Sequence, residues 1–221
     1  MGTPVQLYIS VPVASFRVPH AREYLETLPI PPPATVYGML LSIVGEPDRH
    51  LHEGAEIATG LLSNPERSVV LRTVWHVKRT RIPLGTGVNR RPDFQELLTN
   101  VRLSVSIRSG KEEKQDPSLA DRLASVLQNP ERSPRFGALC LGESTHLVDE
   151  VRKWRSTDGG QALWLMRDSI GELPLPVWVD HVGSVGTVWE RYRLEERDVT
   201  EELPPDAWTT IHSAKVKNTS L

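Results

Sequence analysis

Between Val69 and Pro92 the chain has no acidic residue and six basic ones: Arg72, Lys78, Arg79, Arg81, Arg90 and Arg91, with Asn89 beside the last pair. A guanidinium presents a planar fork of N–H donors that matches phosphate oxygens and stacks on flat rings. A run of such groups without carboxylates suits tracking a phosphate backbone, each contact releasing condensed counterions. Twenty of the 26 basic residues are arginine, which a GC-rich genome also produces, but codon bias does not explain the acid-free interval. For any single side chain here, a merely solvated loop is the competing reading.

A second set surrounds the proline-dense turn Pro29 to Pro33. Arg17, His20 and Arg22 precede it; Thr35, Tyr37 and Gly38 follow it at the start of an amphipathic segment. Backbone N–H groups at a helix N-terminus favour an anion. Thr35 adds a hydroxyl. Tyr37 offers a stacking face or a half-buried packing residue, and Gly38 allows close approach of a ligand or of a packed sheet. A third set, Gly142, Ser144 and His146 in the turn Gly142-Glu143-Ser144-Thr145-His146, reads as a ligand-facing polar turn or as an ordinary strand-to-loop turn. Gly183-x-x-Gly186 has the form of a backbone-clamping loop, although a lone pair of glycines at this spacing more often marks a turn. Six tryptophans (75, 154, 164, 178, 189 and 208) could stack bases, and most are expected in the core or at subunit contacts.

Signals for catalysis are poor. His50-x-His52-Glu53 and His181 lack metal-site spacing, and Asp180-His181 would point to opposite sides of a strand. Ser144 near His146 is not enough for a nucleophile pair. No phosphate-binding P-loop, nucleophile elbow or acidic magnesium cluster is present. No catalytic residue, metal or cofactor is expected.

The 221 residues carry a net charge of −2, with 38% hydrophobic and 24% charged residues, which suits a soluble globular protein. Acidic residues gather at Glu195-Glu196, Asp198, Glu201-Glu202 and Asp206, away from the basic interval. A single cysteine, Cys140, leaves no intrachain disulfide and no multi-cysteine metal site. No apolar run reaches the roughly 20 residues of a membrane helix, and the start MGTPVQLYIS lacks a leader pattern. A cytoplasmic location without membrane contact is expected.

The elements that would position these groups follow from periodicity. Leu7, Ile9, Val11 and Val13 alternate in a strand over 5–13. Val36, Met39, Leu40, Ile43 and Val44 form one face of a helix over 35–44, with Thr35 as its cap. A second strand is expected over 68–78, with Val69, Leu71, Thr73, Trp75 and Val77 on one face, and a third over 101–107. The roughly twenty residues between them are long for a hairpin loop, which points to function or disorder. Asp116 caps a second helix with Pro117 at its first position and Leu119, Leu123, Val126 and Leu127 as its buried stripe. A fourth strand is expected over 138–141. The order β-α-β-β-α-β is the ferredoxin-like (RRM-like) arrangement of an α+β protein. It would occupy residues 1–150, followed by a small C-terminal β subdomain over 151–194 and a polar tail over 195–221. The subdomain would use an apolar segment at 162–166 and strands near 175–179 and 187–194.

The stretch from Ser15 to Gly45, with Phe16-Arg17-x-Pro19, the proline turn and Ala34-Thr35-x-Tyr37-Gly38, closely resembles the N-terminal signature of the CRISPR-associated "Cas five" family. The likeness returns at Arg135-Phe136-Gly137-Ala138-Leu139-x-Leu141-Gly142-Glu143-Ser144-Thr145-His146, and the wording of both blocks is similar to the DevS-like branch. The resemblance implies a RAMP-type, non-catalytic subunit of a type I Cascade complex in antiviral defense. Its ferredoxin-like domain would grip the five-prime handle of guide RNA and cap one end of the complex. A thumb, here 78–100, would lie against the neighbouring backbone subunit and the RNA. The implied partners are guide RNA, the backbone subunit, the large subunit and, indirectly through guide pairing, target DNA.

Two alternatives stay open. One family branch cuts precursor guide RNA with a tyrosine before the proline turn and a lysine–histidine pair; this chain has Leu28 at the matching place and no Lys-His dipeptide. A metal-independent ribonuclease could still use His20, Tyr24 or His76. The other alternative is a protein-only scaffold whose basic loop meets an acidic partner.

Overall fold

Apolar residues at every second position bury one face of a strand when a layer packs against it. Leu7, Ile9 and Val11 behave this way, and all three are fully buried. In this computed structural model, residues 4–214 are described, apart from 22, 76, 77, 136 and 183. The elements run β1 (Val5–Ala14), β2 (Tyr24–Leu25), α1 (Pro33–Ile43), β3 (Glu56–Leu61), β4 (Glu66–Trp75), β5 (Arg90–Arg108), α2 (Leu119–Gln128), β6 (Glu150–Lys153), β7 (Gln161–Arg167), β8 (Leu173–Trp178), β9 (Val188–Asp198) and β10 (Thr209–Thr210).

The fold is α+β, built on one sheet in the order β6–β1–β5–β3–β7–β9–β8, with β2 and β4 also on β5 and β10 on β3. Among the described residues, only the short β2–β5 pairing is parallel. Both helices pack on one face, where Val36, Leu40, Leu119 and Leu123 meet Leu7, Ile9, Leu103 and Val105. A smaller core of Ala58, Trp164, Met166 and Trp208 forms separately. Arg122 fastens α2 to the end of α1: its Nη2 donates to Val44 O at 3.1 Å and its Nη1 to Glu46 Oε2 at 2.6 Å.

Of the run 68–78, expected as the second strand, residues 68–75 instead enter β4, which leaves the body of the sheet; 76 and 77 lie outside the described residues. The second core strand is β3. Its Ala58 and Gly60 are weak strand formers, yet a Cβ on Gly60 would lie 2.9 Å from the ring of the fully buried Trp164. Tertiary packing, not propensity, selects this segment. Residues 138–141 form no strand. Leu139 and Leu141 are buried, but the backbone turns at Gly142 and only Cys140 bridges to Leu147. The strand on that side of β1 is the charged β6, paired from Leu7↔Lys153 to Ser10↔Glu150.

The helix starts also shift. Pro32, without a side-chain cap, precedes α1, and Pro33 takes its first turn, so Thr35 lies inside the helix and does not cap it. Ser118, not Asp116, caps α2 by accepting from Asp121 N at 3.2 Å.

Residues 90–100 belong to β5, so the expected long loop shrinks to 78–89 at the end of a β4–β5 arm with Glu66↔Thr99 at its base and Trp75↔Arg90 at its far end. The C-terminal strands continue the same sheet, with β7 bonded to β3 at Gly60↔Trp164 and Leu61↔Leu163. The stretch from 195, expected as a polar tail, supplies the end of β9 and all of β10 and buries Val199, Ala207, Trp208 and Ile211.

Replacing Gly60 with valine should drive the new side chain into Trp164 and lower stability by about 1–3 kcal/mol. Urea unfolding would register this as a lower midpoint at unchanged slope.

Candidate nucleic-acid interface

The arm exists because β5 has 19 residues, more than β1 and β3 can cover. Its second half, from 101, lies in the body; its first half pairs with β4. Asn100 marks the junction with a left-handed φ of 58°, a conformation asparagine tolerates better than most residues. Two carboxylates tie the arm to the body. Glu96 accepts from Tyr24 Oη at 3.1 Å, Thr27 N at 3.1 Å and Arg67 Nη1 at 2.9 Å. Glu143 accepts from Arg72 Nη1 at 2.7 Å and Gln95 Nε2 at 2.8 Å, while Arg72 also donates to Gln95 Oε1.

These contacts sort the candidate cations. Arg72 is engaged by Glu143, and Arg91 pairs with Asp93 at 2.7 Å. Lys78, Arg79, Arg81 and Arg90 are exposed at the tip and form no ion pair among the described residues. Asn89 is not a surface contact. It is 0% exposed, accepts from Lys78 N and Arg79 N at 2.9 Å each, and donates to Arg79 O at 2.8 Å and Ile82 O at 2.6 Å. It fills the whole hydrogen-bonding capacity of an amide and shapes the loop that displays its neighbours.

At the arm's root a trough runs across one end of the body. Three adjoining hollows of 330, 250 and 360 Å³ compose it. The first two share Thr35, Gly142 and Val179, and the second and third share Pro19 and Leu28. Arg17 lines the middle hollow and donates through Nη2 to Ala21 O at 3.0 Å; His20 lines the third. Arg22 lies outside the described residues, as do His76, Phe136 and Gly183. Gly38 is exposed in the first hollow, where a Cβ would meet nothing within 4 Å. Close helix–sheet packing therefore does not require this glycine.

Tyr37 offers no open stacking face. It is buried beside Trp178 with ring centroids 6.3 Å apart, and its hydroxyl donates to Arg49 O at 2.7 Å. Burial pushes its phenol well above the ordinary range. Arg49, which the sequence does not single out, lies with its guanidinium 4.0 Å over the Trp178 ring and donates to Val179 O. Its partners lie about 130 positions away, so no local pattern announces it.

His146 is only 6% exposed, and its Nδ1 accepts from Ser15 N at 3.1 Å and Glu143 N at 3.2 Å. An acceptor Nδ1 fixes the tautomer with its proton on Nε2. Gly142 turns with φ 95°, and a Cβ there would meet Ser15 O at 2.6 Å. Ser144 is exposed, and its hydroxyl makes no hydrogen bond among the described residues. Both Gly142 and His146 therefore build the turn, and through Glu143 they fasten the arm. Tyr24, a candidate acid or base, is exposed but tied to Glu96; loss of solvent and that carboxylate raise its phenol above the ordinary value.

The family model described as CRISPR-associated protein (Cas_Cas5) matches residues 5–219. A CRISPR-associated protein Cas5 from Myxococcus xanthus (strain DK1622) is 45% identical over 195 residues, 87% of this chain and 90% of that protein. Among solved structures, a chain of a CRISPR RNA-guided surveillance complex superposes with a TM-score of 0.60 at 15% identity, covering 90% of this chain and 92% of the other. A crystal structure of a Cas protein gives 0.51 at 14% identity, covering 88% and 94%. At those identities the structural likeness is one of fold.

Two predictions follow from the turn and the tip. Burial holds the His146 imidazole below its ordinary pKa near 6.5, with Glu143 opposing and Arg72 reinforcing the shift. The unfolded chain therefore takes up a proton at His146 before the folded chain does. This contribution to stability is complete above about pH 6.5 and is lost as pH falls toward the lowered folded value. Urea midpoints at pH 7.5 and 5.5 should show the loss in the native protein, and a smaller loss in His146→Asn, which starts less stable. Asn89→Ala should expose the amides of residues 78–82 to faster hydrogen exchange while leaving the exchange of β1 unchanged.

Proposed function

The chain belongs to the CRISPR-associated Cas5 family, and from that membership we propose that it binds the five-prime handle of a guide RNA and caps one end of a type I Cascade complex. The observation that carries this reading is the arm tip. Lys78, Arg79, Arg81 and Arg90 stand exposed without ion pairs among the described residues, although the chain as a whole is slightly acidic. Cations clustered at the end of a projecting hairpin suit a phosphate backbone. The trough at the root of the arm provides a concave path past Arg17, Thr35 and Gly142.

The family of the chain and the likeness of its fold to a chain of an RNA-guided surveillance complex support partnership with other Cascade subunits. The arm adds a surface for one of them. Val69 and Leu71 share a face with Phe94, and Leu71 is 64% and Phe94 51% exposed. An apolar stripe of this kind suits a protein neighbour, and the repeated backbone subunit is the partner this reading assigns to it. We also read β1–α1–β3–β5–α2–β6 as a ferredoxin-like unit. The strand order β6–β1–β5–β3, with every neighbour antiparallel, supports this.

The role is non-catalytic in this reading. The fixed Nδ1 of His146 and the Tyr24–Glu96 bond leave those side chains occupied by structure, and among the described residues no His/Cys/Asp/Glu cluster could hold a metal. No helix among them is long and apolar enough to cross a membrane. A cytoplasmic place beside guide RNA completes the proposal.

Tagged chain co-expressed with its neighbouring genes should retain RNA of uniform five-prime sequence. Replacing Lys78, Arg79, Arg81 and Arg90 together with alanine should weaken retention and flatten the slope of log affinity against log salt by about 3, at roughly 0.7 per phosphate contact, with the melting temperature unchanged. An intact complex lacking RNA would overturn the handle reading in favour of a scaffold. Purified chain mixed with unprocessed repeat RNA should leave it uncut; a specific cut would establish the ribonuclease alternative.

A further inference from the structure

The third hollow of the trough has walls unlike those of the other two. Val18, Pro19, Leu28 and Pro174 make it apolar and stiff, and His20 and Trp189 add two flat rings. Trp189 is 43% exposed, whereas Trp164, Trp178 and Trp208 are buried. An exposed indole at the mouth of a small apolar hollow contributes nothing to a core. On β9, residues 189 and 191 share a face, and the pairings Trp189↔Pro176 and Arg191↔Pro174 set Arg191 at the rim. Arg191 is exposed and donates through Nε to Gly171 O at 2.8 Å; its terminal amino groups carry no hydrogen bond among the described residues. Arg17 lies in the adjoining hollow, which shares Pro19 and Leu28 with this one.

We propose that this hollow is a pocket for a single unpaired nucleobase of the bound RNA, stacked on Trp189, with the flanking phosphates met by Arg191 and Arg17. The proposal rests on the guide-RNA reading and deepens it. Three observations favour a base over a protein side chain. The cavity, 360 Å³, is of the size that takes one small planar group, whereas a stable protein contact needs about 1,000 Å² of buried surface or more. It is continuous with the trough. Its apolar floor is bracketed by cations, the combination that serves single-stranded nucleic acid: rings for the bases and positive charge for the backbone.

The test uses the full chain and a synthetic single-stranded RNA of its own repeat's handle sequence, carrying 2-aminopurine at each position in turn. Stacking on an indole quenches this base, so one position should lose most of its emission on binding. Trp189→Ala should restore that emission and weaken binding by about five- to 100-fold, the range for one lost base–aromatic stack. Trp189→Phe should retain the quench and bind within about three-fold of the native chain. Because Trp189 is exposed, Trp189→Ala should melt within a few degrees of it. Equal affinity and equal quenching in the native chain and Trp189→Ala would overturn the pocket and leave the handle reading standing. Loss of a co-purifying subunit from Trp189→Ala at unchanged RNA affinity would also overturn it, identifying the wall as a protein contact. Absence of RNA binding by the native chain would overturn both.

Discussion

The arm and the body share a backbone. β5 is an interior strand of the sheet from 98 onward, paired on its other edge with β1, and before that it is one of the arm's strands, bordered by β2 at Tyr24↔Phe94 and Leu25↔Gln95. A two-stranded ribbon is marginal on its own; here it continues a buried strand, and Asp93, Gln95 and Leu98 are buried against the body. Val101, Leu103, Val105 and Ile107 are all fully buried, so the root of the arm is as fixed as the core. The direction in which it projects is then set by few contacts: Asn100 at the bend, the β2–β5 pairing, and the bonds of Glu96 and Glu143 between arm and body.

Those carboxylates also decide where positive charge is available. Arg67 near the base is neutralised by Glu96, Arg72 farther along the arm by Glu143, and Arg91 by Asp93. The cations beyond them keep their charge for a ligand. Arginines held by carboxylates give up part of their attraction for phosphate but gain a fixed position. Arginines and a lysine at the tip keep that attraction and rely on Asn89 to hold the loop beneath them. One stretch of sequence thus serves two purposes, and only the acids placed opposite it distinguish them.

That distinction explains what could be read from the sequence. The acid-free interval located the tip, and the alternation in 5–13 and the stripe in 119–127 located β1 and α2, because these signals are local. β3 was not legible, since Gly60 is explained only by Trp164, about a hundred positions away. The run 68–78 is recognisable as a strand from its alternation, which places Val69 and Leu71 on one face but does not say what covers that face. Leu71 and Phe94 face solvent, because nothing among the described residues covers that side of the ribbon. Among the site candidates, Asn89 and His146 had suitable chemistry for a ligand, yet both spend it on backbone. Hydrogen bonds to residues 15 and 79 cannot be inferred from composition.

The trough follows the same logic with the sign reversed. Its walls come from segments far apart in sequence: the bend after β1, the start of α1, the turn at Gly142 and the β8–β9 hairpin. A path assembled in this way has no motif of its own. Its most suggestive residue, Trp189, is one of six tryptophans and is set apart from Trp164, Trp178 and Trp208 only by exposure. In the proposed reading, a slightly acidic chain presents a nucleic-acid surface through two local arrangements: cations carried clear of their partners at the arm tip, and an indole left uncovered beside a cationic rim. Net charge reports neither of them.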